Sequence, residues 1–429
     1  MSAEGKSTVA EATDTVLTAS ETVPPAHTQP SEKEKLPVLT RILSGSVSLS
    51  FFALLAALIV GGILIAVTDP ATQKASRYFF ARPLDTLSAG WEAATNAYLA
   101  LFRGAIFNYE ASTFTKAIYP LTETLTVATP LIFAGLAVAI AFRTGLFNIG
   151  AQGQIILGAI VASYVAINWH LPSYLLLPFI VLGGILGGSL WGGLVGLLKA
   201  KTGAHEVILS IMLNYIAANL LLFLLKTPLW QREGSSNPIS PVLADEAIFP
   251  RIFGQSFRLH AGFILALLAV LFVSWLINRS TIGFKLRAVG ANPHAAKTAG
   301  VSVANGYIIV MAIAGALAGL AGVAQVSGTE KVLSTGIASS YGFDAITVAL
   351  LGRATPVGTL LAALLYGALR AGGVTMQVST GTSVDLVDVV QALIVLFIAA
   401  PPLVRAIFRL PDPDKPKKKK KTTQSAEAK

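Results

Sequence analysis

The sequence predicts an all-α, polytopic membrane protein of about ten transmembrane helices. Three observations carry this. Only 13% of the 429 residues are charged, against about 25% in a soluble domain. Hydrophobic residues make up 54%, and the mean hydropathy is +0.67. Apolar runs of about 18 residues or more recur along the chain, the mark of membrane helices. The period-two segments of a β-barrel are absent. There is no cysteine, which excludes disulfides, thiolate metal sites and thiol catalysis. The five histidines are scattered, with none at a ligand spacing from another, so no metal site is expected.

Residues 1–36 are rich in Ser, Thr, Ala and Glu and lack an apolar stretch. They read as a disordered cytoplasmic extension rather than a signal peptide. Their "EGKST" ends like a phosphate loop, but the leading glycine is missing, and no Walker motif occurs elsewhere. A transmembrane domain over 37–410 follows. Its expected spans are 46–67, 117–142, 148–168, 174–198, 206–226, 261–278, 305–326, 340–352, 356–372 and 386–408. The eighth is too short to cross about 30 Å of hydrocarbon alone. It is expected to be a short crossing shielded by protein. Arg143 and Arg353 mark inner ends of spans. Ten crossings place both termini on one side. With the termini inside, 21 Lys+Arg fall on cytoplasmic segments and 11 outside, together the 32 of the chain. That bias, with the lysine-rich tail over 411–429, predicts cytoplasmic termini and a contact of the tail with anionic membrane lipid. The net charge of +10 is thereby accounted for without nucleic acid.

Two external segments are expected, 69–116 and 227–260. The first carries an amphipathic helical pattern in "GWEAATNAYLALFRG", and the second is polar and proline-bearing. They cap the bundle or form a docking surface. Blocks of four spans at 117–226 and 305–408 have opposite expected orientation. Each has an early span with a polar, glycine-bearing start, "FNIGAQGQ" and "SSYGFDA". This predicts an inverted repeat with broken helices, as in transporters. The glycine stripes "GGILGGSLWGGLVG" and "AGALAGLAG" predict close helix packing, internal or between subunits.

The segment "RTGLFNIGAQGQIILG", Arg143 to Gly158, crowds amides between apolar runs. The apolar run after it is short, so the third helix is expected to begin near Asn148, with the amides inside the membrane. Asn148 and Gln152 would then share a helical face, with Gln154 pointing elsewhere. Amides donate and accept, which suits a neutral polar ligand. They serve equally to hydrogen-bond across helices. Phe133, Phe142 and Phe147 are close in sequence and either stack on a ring or pack. Further candidates for the substrate path are Asn214, which lines it or pairs with another helix, and Glu123, an intramembrane acid or one in a wet vestibule. Asp344 caps a half-helix or contacts ligand. Glu206 opens the fifth span, where an acid favours the helix dipole.

The cytoplasmic loop 279–304 contains a short punctuated helix. Asn292 is its N-cap, Pro293 its first residue, Lys297 lies in the last turn, and Gly300 is the expected C′ residue. So short a helix must pack on something. It is tucked under the bundle, or it couples to a separate ATPase. "RAVGANPHAAKTAGV" resembles the ATPase-facing loop of ABC importer permeases of the branched-chain amino acid and simple-sugar superfamily. "TPLIFAGLAVAIAFRTGLFNIGAQGQIILGA", "HEVILSIMLNYIA" and "YGFDAITVALLGRATPVG" are similar to the nucleoside-type members. One departure is Gln152, where the nucleoside-type pattern usually has Glu. The resemblance implies a coupling helix built on Gly290, Asn292, Pro293, Ala295, Ala296, Lys297 and Gly300. It implies two ATP-binding subunits, a second homologous permease and an extracellular substrate-binding lipoprotein. It further implies a place in the bacterial plasma membrane, no catalysis and no cofactor on this chain, ATP being bound by the partner. Nucleosides are the expected solute, with simple sugars or another small polar solute as the alternative. An ion-coupled secondary transporter would need buried carboxylates, which are few here. A membrane enzyme would need an acid–base, metal or nucleophile cluster, and none is visible.

Overall fold

The computed structural model describes residues 46–410; the expected extension over 1–36 and the tail over 411–429 lie outside them. The described chain is helical almost throughout, as backbone groups in hydrocarbon require. In order the helices are α1 (Ser46–Thr68), α2 (Pro70–Ser76), α3 (Pro83–Ala105), α4 (Phe114–Arg143), α5 (Ala151–Asn168), α6 (Ser173–Thr202), α7 (Glu206–Leu224), α8 (Gly262–Arg279), α9 (Thr281–Ala291), α10 (Pro293–Thr298), α11 (Val303–Val323), α12 (Tyr341–Leu351), α13 (Pro356–Thr380), α14 (Asp385–Ala399) and α15 (Pro401–Ile407). Eight of them, α1, α4 to α8, α11 (with its extension to Glu330) and α13, are long and apolar enough to cross a membrane. The protein is thus an all-α polytopic membrane protein.

All ten expected spans are found as helices, but not all are full crossings. The eighth, α12, has 11 residues, about 17 Å of helix. The tenth is broken: α14 and α15 meet at 95°, because the tandem Pro401–Pro402 cannot continue the helix before it. The third begins at Ala151 rather than near Asn148. Gly150 is its N-cap, and its 18 residues reach about 27 Å without the preceding amides. The loop before α10 also holds an unforeseen helix, α9, capped by the Ser280 hydroxyl, which accepts from Gly283 N–H.

α4 is the axis of the main core. Leu131, Ile132, Phe133, Leu136 and Ile140 are fully buried on it, so Phe133 packs and is not available to stack on a solute. The two glycine stripes meet each other. α6 and α11 lie so close that a Cβ on Gly188 would overlap the Gly315 carbonyl oxygen, and one on Gly192 that of Met311. Small residues here permit backbone contact, and the interface is internal. A second core joins α1, α3, α13 and α14 around Ala53, Ala97, Leu369 and Val390. α3 bears out the helical pattern in 69–116, and its Ala97 and Ala100 are buried in that core.

Candidate functional site

The amide-rich stretch is a folded knot just ahead of α5. Asn148 and Gln154 exchange hydrogen bonds, Nδ2 to Oε1 at 3.1 Å and Nε2 to Oδ1 at 3.2 Å. The Asn148 Oδ1 also accepts from Gly150 N–H at 3.0 Å. Both side chains are fully buried, so each satisfies the other where water is excluded. Asn148 therefore does not share a helical face with Gln152. Because α5 starts at Ala151, Asn148 lies in the loop, and its partner is Gln154. Asn214 of α7 completes the knot. Its Oδ1 accepts from Gly153 N–H (2.8 Å), and its Nδ2 donates to Ile149 O (3.0 Å). A side chain on another helix thus caps the first turn of α5. Glu206 supports the same loop from below, accepting from Phe147 N–H at 3.4 Å and pairing with Lys199 at 2.6 Å. Phe147 is exposed and lies against Phe142, ring centroids 4.8 Å apart.

Gln152 points a different way. Its Nε2 donates to Ser339 O at 2.6 Å, and its Oε1 accepts from Gly342 N–H at 2.9 Å. The two polar starts, "FNIGAQGQ" and "SSYGFDA", are therefore in contact. At the crossing a Cβ on Gly342 would clash with the Gln152 backbone, so glycine is required there for the approach. Beyond it, Asp344 accepts from Ser340 Oγ (2.7 Å) and pairs with Arg370 of α13 (3.2 Å). Arg370 is absent from the residues that sequence reasoning singles out. An arginine deep in an apolar helix is the signal that finds it.

Glu123 sits near the start of α4 and pairs with Arg258 at 3.0 Å, which ties α4 to the 227–260 segment. That segment is woven onto the chain after α11. There a π-helical turn, Ala324–Glu330, extends the helix, with Lys331 as its C-cap. Phe249 N–H donates to Ser327 O (2.8 Å), Leu243 N–H to Lys331 O (2.9 Å) and Ser240 N–H to Leu333 O (2.9 Å). His260 is buried in the seam, stacked on Phe249 with 5° between the rings. Its Nδ1 accepts from Gly262 N–H at 3.2 Å. Burial, with the nearby Arg258 charge, lowers its pKa to about 4.

At the other end of the bundle the punctuated helix forms as expected. The Asn292 Oδ1 accepts from His294 and Ala295 N–H (3.0 and 3.1 Å). Gly300 has φ +79°, and Val301 and Gly300 N–H bond to Ala296 and Lys297 O, a Schellman closure. Ala296 is buried and anchors the helix, while Pro293, His294, Ala295, Lys297 and Thr298 are exposed. Gly290 belongs to α9 and abuts the turn after α4: a Cβ there would stand 2.7 Å from Thr144 Cα. Among the described residues no group of His, Cys, Asp or Glu is placed to hold a metal ion.

Comparison with known proteins bears on this arrangement. The family described as branched-chain amino acid transport system / permease component matches residues 121–399. The chain is 41% identical over 323 residues to the guanosine ABC transporter permease protein NupP of Bacillus subtilis, covering 75% of this chain and 90% of that protein. It is 38% identical over 290 residues to the glucose ABC transporter permease protein TsgB13 of Haloferax volcanii, covering 65% and 76%. It is 34% identical over 329 residues to the nucleoside ABC transporter permease protein NupB of Lactococcus lactis, covering 74% and 90%. The matched residues take in α5, the Gln152–Gly342 crossing and the exposed α10. The chain therefore belongs to the branched-chain amino acid transport system permease family, as a multi-pass permease subunit of an ABC-type importer for a small polar solute.

Proposed function

We propose that the solute is a nucleoside, moved by alternating access in a complex with two ATP-binding subunits, a second homologous permease and an extracellular substrate-binding lipoprotein. The observation that carries this is the near full-length likeness to two permeases named for guanosine and nucleosides, each covered over 90% of its length. The amide chemistry supports it: beyond its bonds to Ser339 and Gly342, the Gln152 amide keeps a second N–H and a second carbonyl lone pair, which match a ligand that has carbonyls, ring nitrogens and hydroxyls. A simple sugar is the second reading, favoured by the 38% identity to a glucose permease.

On this reading α10 is the ATPase-facing element. Its exposed residues, from Pro293 to Thr298, seat in the ATPase subunit, and Ala296 holds the helix to its own bundle. Displacement of α10 moves α9, and Gly290 passes it to the Thr144–Gly145 turn. From there the knot at 147–154 carries it to Gln152 and the 339–342 segment. The 227–260 segment lies outside, where the lipoprotein delivers solute. The test is competition in vesicles holding the complete transporter. Unlabelled guanosine is expected to abolish ATP-dependent uptake of labelled guanosine at concentrations where glucose has no effect. The reverse order assigns the chain to sugars.

A further inference from the structure

Arg370 lies 14 residues past Pro356 and 10 before Thr380 in α13, about 21 Å and 15 Å from the two helix ends. That is the middle of a membrane-crossing helix, where a charge is costly and points to a function. Its surroundings are specific. Nη1 pairs with Asp344 at 3.2 Å, and Nη2 donates to Ser339 Oγ at 3.2 Å and Ser340 Oγ at 2.9 Å. The guanidinium also sits 4.9 Å from the centroid of the Tyr341 ring. The side chains of Arg370 and Asp344 nonetheless stay 32% and 28% exposed. A pair serving only to staple α12 to α13 has no need of that exposure.

Two further observations tie this cluster to the Gln152 crossing. Ser339, whose carbonyl takes the Gln152 hydrogen bond, has φ +42°, a strained value for a residue with a side chain. Its hydroxyl and carbonyl are held by two different helices, α13 through Arg370 and α5 through Gln152. We infer that Arg370 is a specificity-determining residue. Its guanidinium faces the translocated solute and hydrogen-bonds to the solute's carbonyl, ring-nitrogen or hydroxyl acceptors. Asp344 holds the cluster at zero net charge, so that neutral polar solutes pass without an ionic trap at mid-membrane. The inference rests on the transport reading above, and it adds where the solute is read and by which group.

The chain has no cysteine, so a single one can be placed and labelled. The experiment uses Ser339→Cys in the complete transporter, treated with methanethiosulfonate reagents carrying a sulfonate or a trimethylammonium. The introduced thiol is expected to react from water, and saturating solute to slow the reaction. Adding Asp344→Asn is expected to raise the anionic-to-cationic rate ratio by about tenfold, and Arg370→Gln to lower it by about tenfold. Arg370→Lys keeps the charge and is expected to hold the ratio while raising KM for uptake. Gly336→Cys on the same segment has open space around it and serves as the accessible reference thiol, while thermal unfolding of each variant reports its folding. Absence of labelling in the Ser339→Cys transporter, or a ratio unmoved by both charge variants, overturns the inference. If guanosine fails to protect but glucose succeeds, the nucleoside reading falls and Arg370 keeps its role. If no transported solute protects, Arg370 does not face the route.

Discussion

Gln152 joins segments 187 residues apart through one donor and one acceptor, and that division of labour makes its chemistry testable. Gln152→Leu leaves the Ser339 carbonyl and the Gly342 N–H without their partner at a partly buried contact, at a cost of about 2 kcal/mol. Uptake is expected to fall, and Gln152→Glu, which carries the residue usual in the nucleoside-type pattern, is expected to lose less; parental uptake in the Leu variant contradicts a role for this crossing. His260 supplies a second prediction. Its imidazole has a folded pKa of about 4 against an ordinary value of about 6.5. Between these values the unfolded chain binds a proton that the folded protein refuses, so stability rises with pH in that window. The contribution is complete above about pH 6.5 and is lost as pH falls to about 4, in total about 3 kcal/mol. Thermal unfolding of His260→Phe, which keeps the stack on Phe249, is expected to be less pH-dependent across the window. An unchanged slope would show that His260 does not carry the effect. Neither role is legible in sequence. The amide cluster in 143–158 is, but its pairing is not. The i, i+4 rule that would join Asn148 to Gln152 applies only within a helix, and the helix starts three residues later.

Among the helices, α10 shows how much local punctuation can specify. Asn292, Pro293 and Gly300 each fill a position with a known backbone requirement, so the helix is legible from six residues and their flanks. Which face it presents is not, because that depends on the buried Ala296. Bulk at Ala296 strikes the bundle, whereas bulk at the exposed Ala295 strikes a docked subunit. Ala295→Trp is therefore expected to abolish co-purification of the ATPase while leaving thermal unfolding within about 0.5 kcal/mol of the parent. Retained association would show that α10 is a surface helix only. Gly290 separates docking from transmission. Gly290→Val forces α9 away from Thr144, so ATPase binding is expected to persist while hydrolysis no longer drives uptake. Equal loss of binding and uptake contradicts a relay through this contact. The helix α9 itself is hidden in the sequence, since Gly283 and Gly290 both fall inside it and glycine has low helix propensity. Close packing explains both glycines: Gly283 lies against the end of α8 and Gly290 against Thr144.

For the whole molecule, hydrophobic patterning locates the helices because length and apolarity are what a bilayer demands of each one separately. Pairings between helices depend on a third dimension that the pattern does not carry. The stripe of α6 meeting that of α11, Glu123 meeting Arg258 and Arg370 meeting Asp344 are of that kind. Among the described residues, the short α12 and the α14–α15 pair broken at Pro401 leave eight full-length helices out of the ten expected spans. α12 is sheltered by α4, α5 and α13, which is what a half-length segment at membrane depth requires. The resulting molecule has an exposed α10 at one end, a woven 227–260 segment at the other, and a polar crossing between α5 and α12. On the proposed mechanism these parts move a polar solute only when an ATPase drives α10. Uptake of labelled guanosine, measured in vesicles holding either this chain alone or the complete transporter, puts that dependence to the test. The complete transporter is expected to accumulate guanosine when given ATP, and the chain alone to accumulate none under a proton or sodium gradient; gradient-driven uptake by the chain alone would contradict the mechanism.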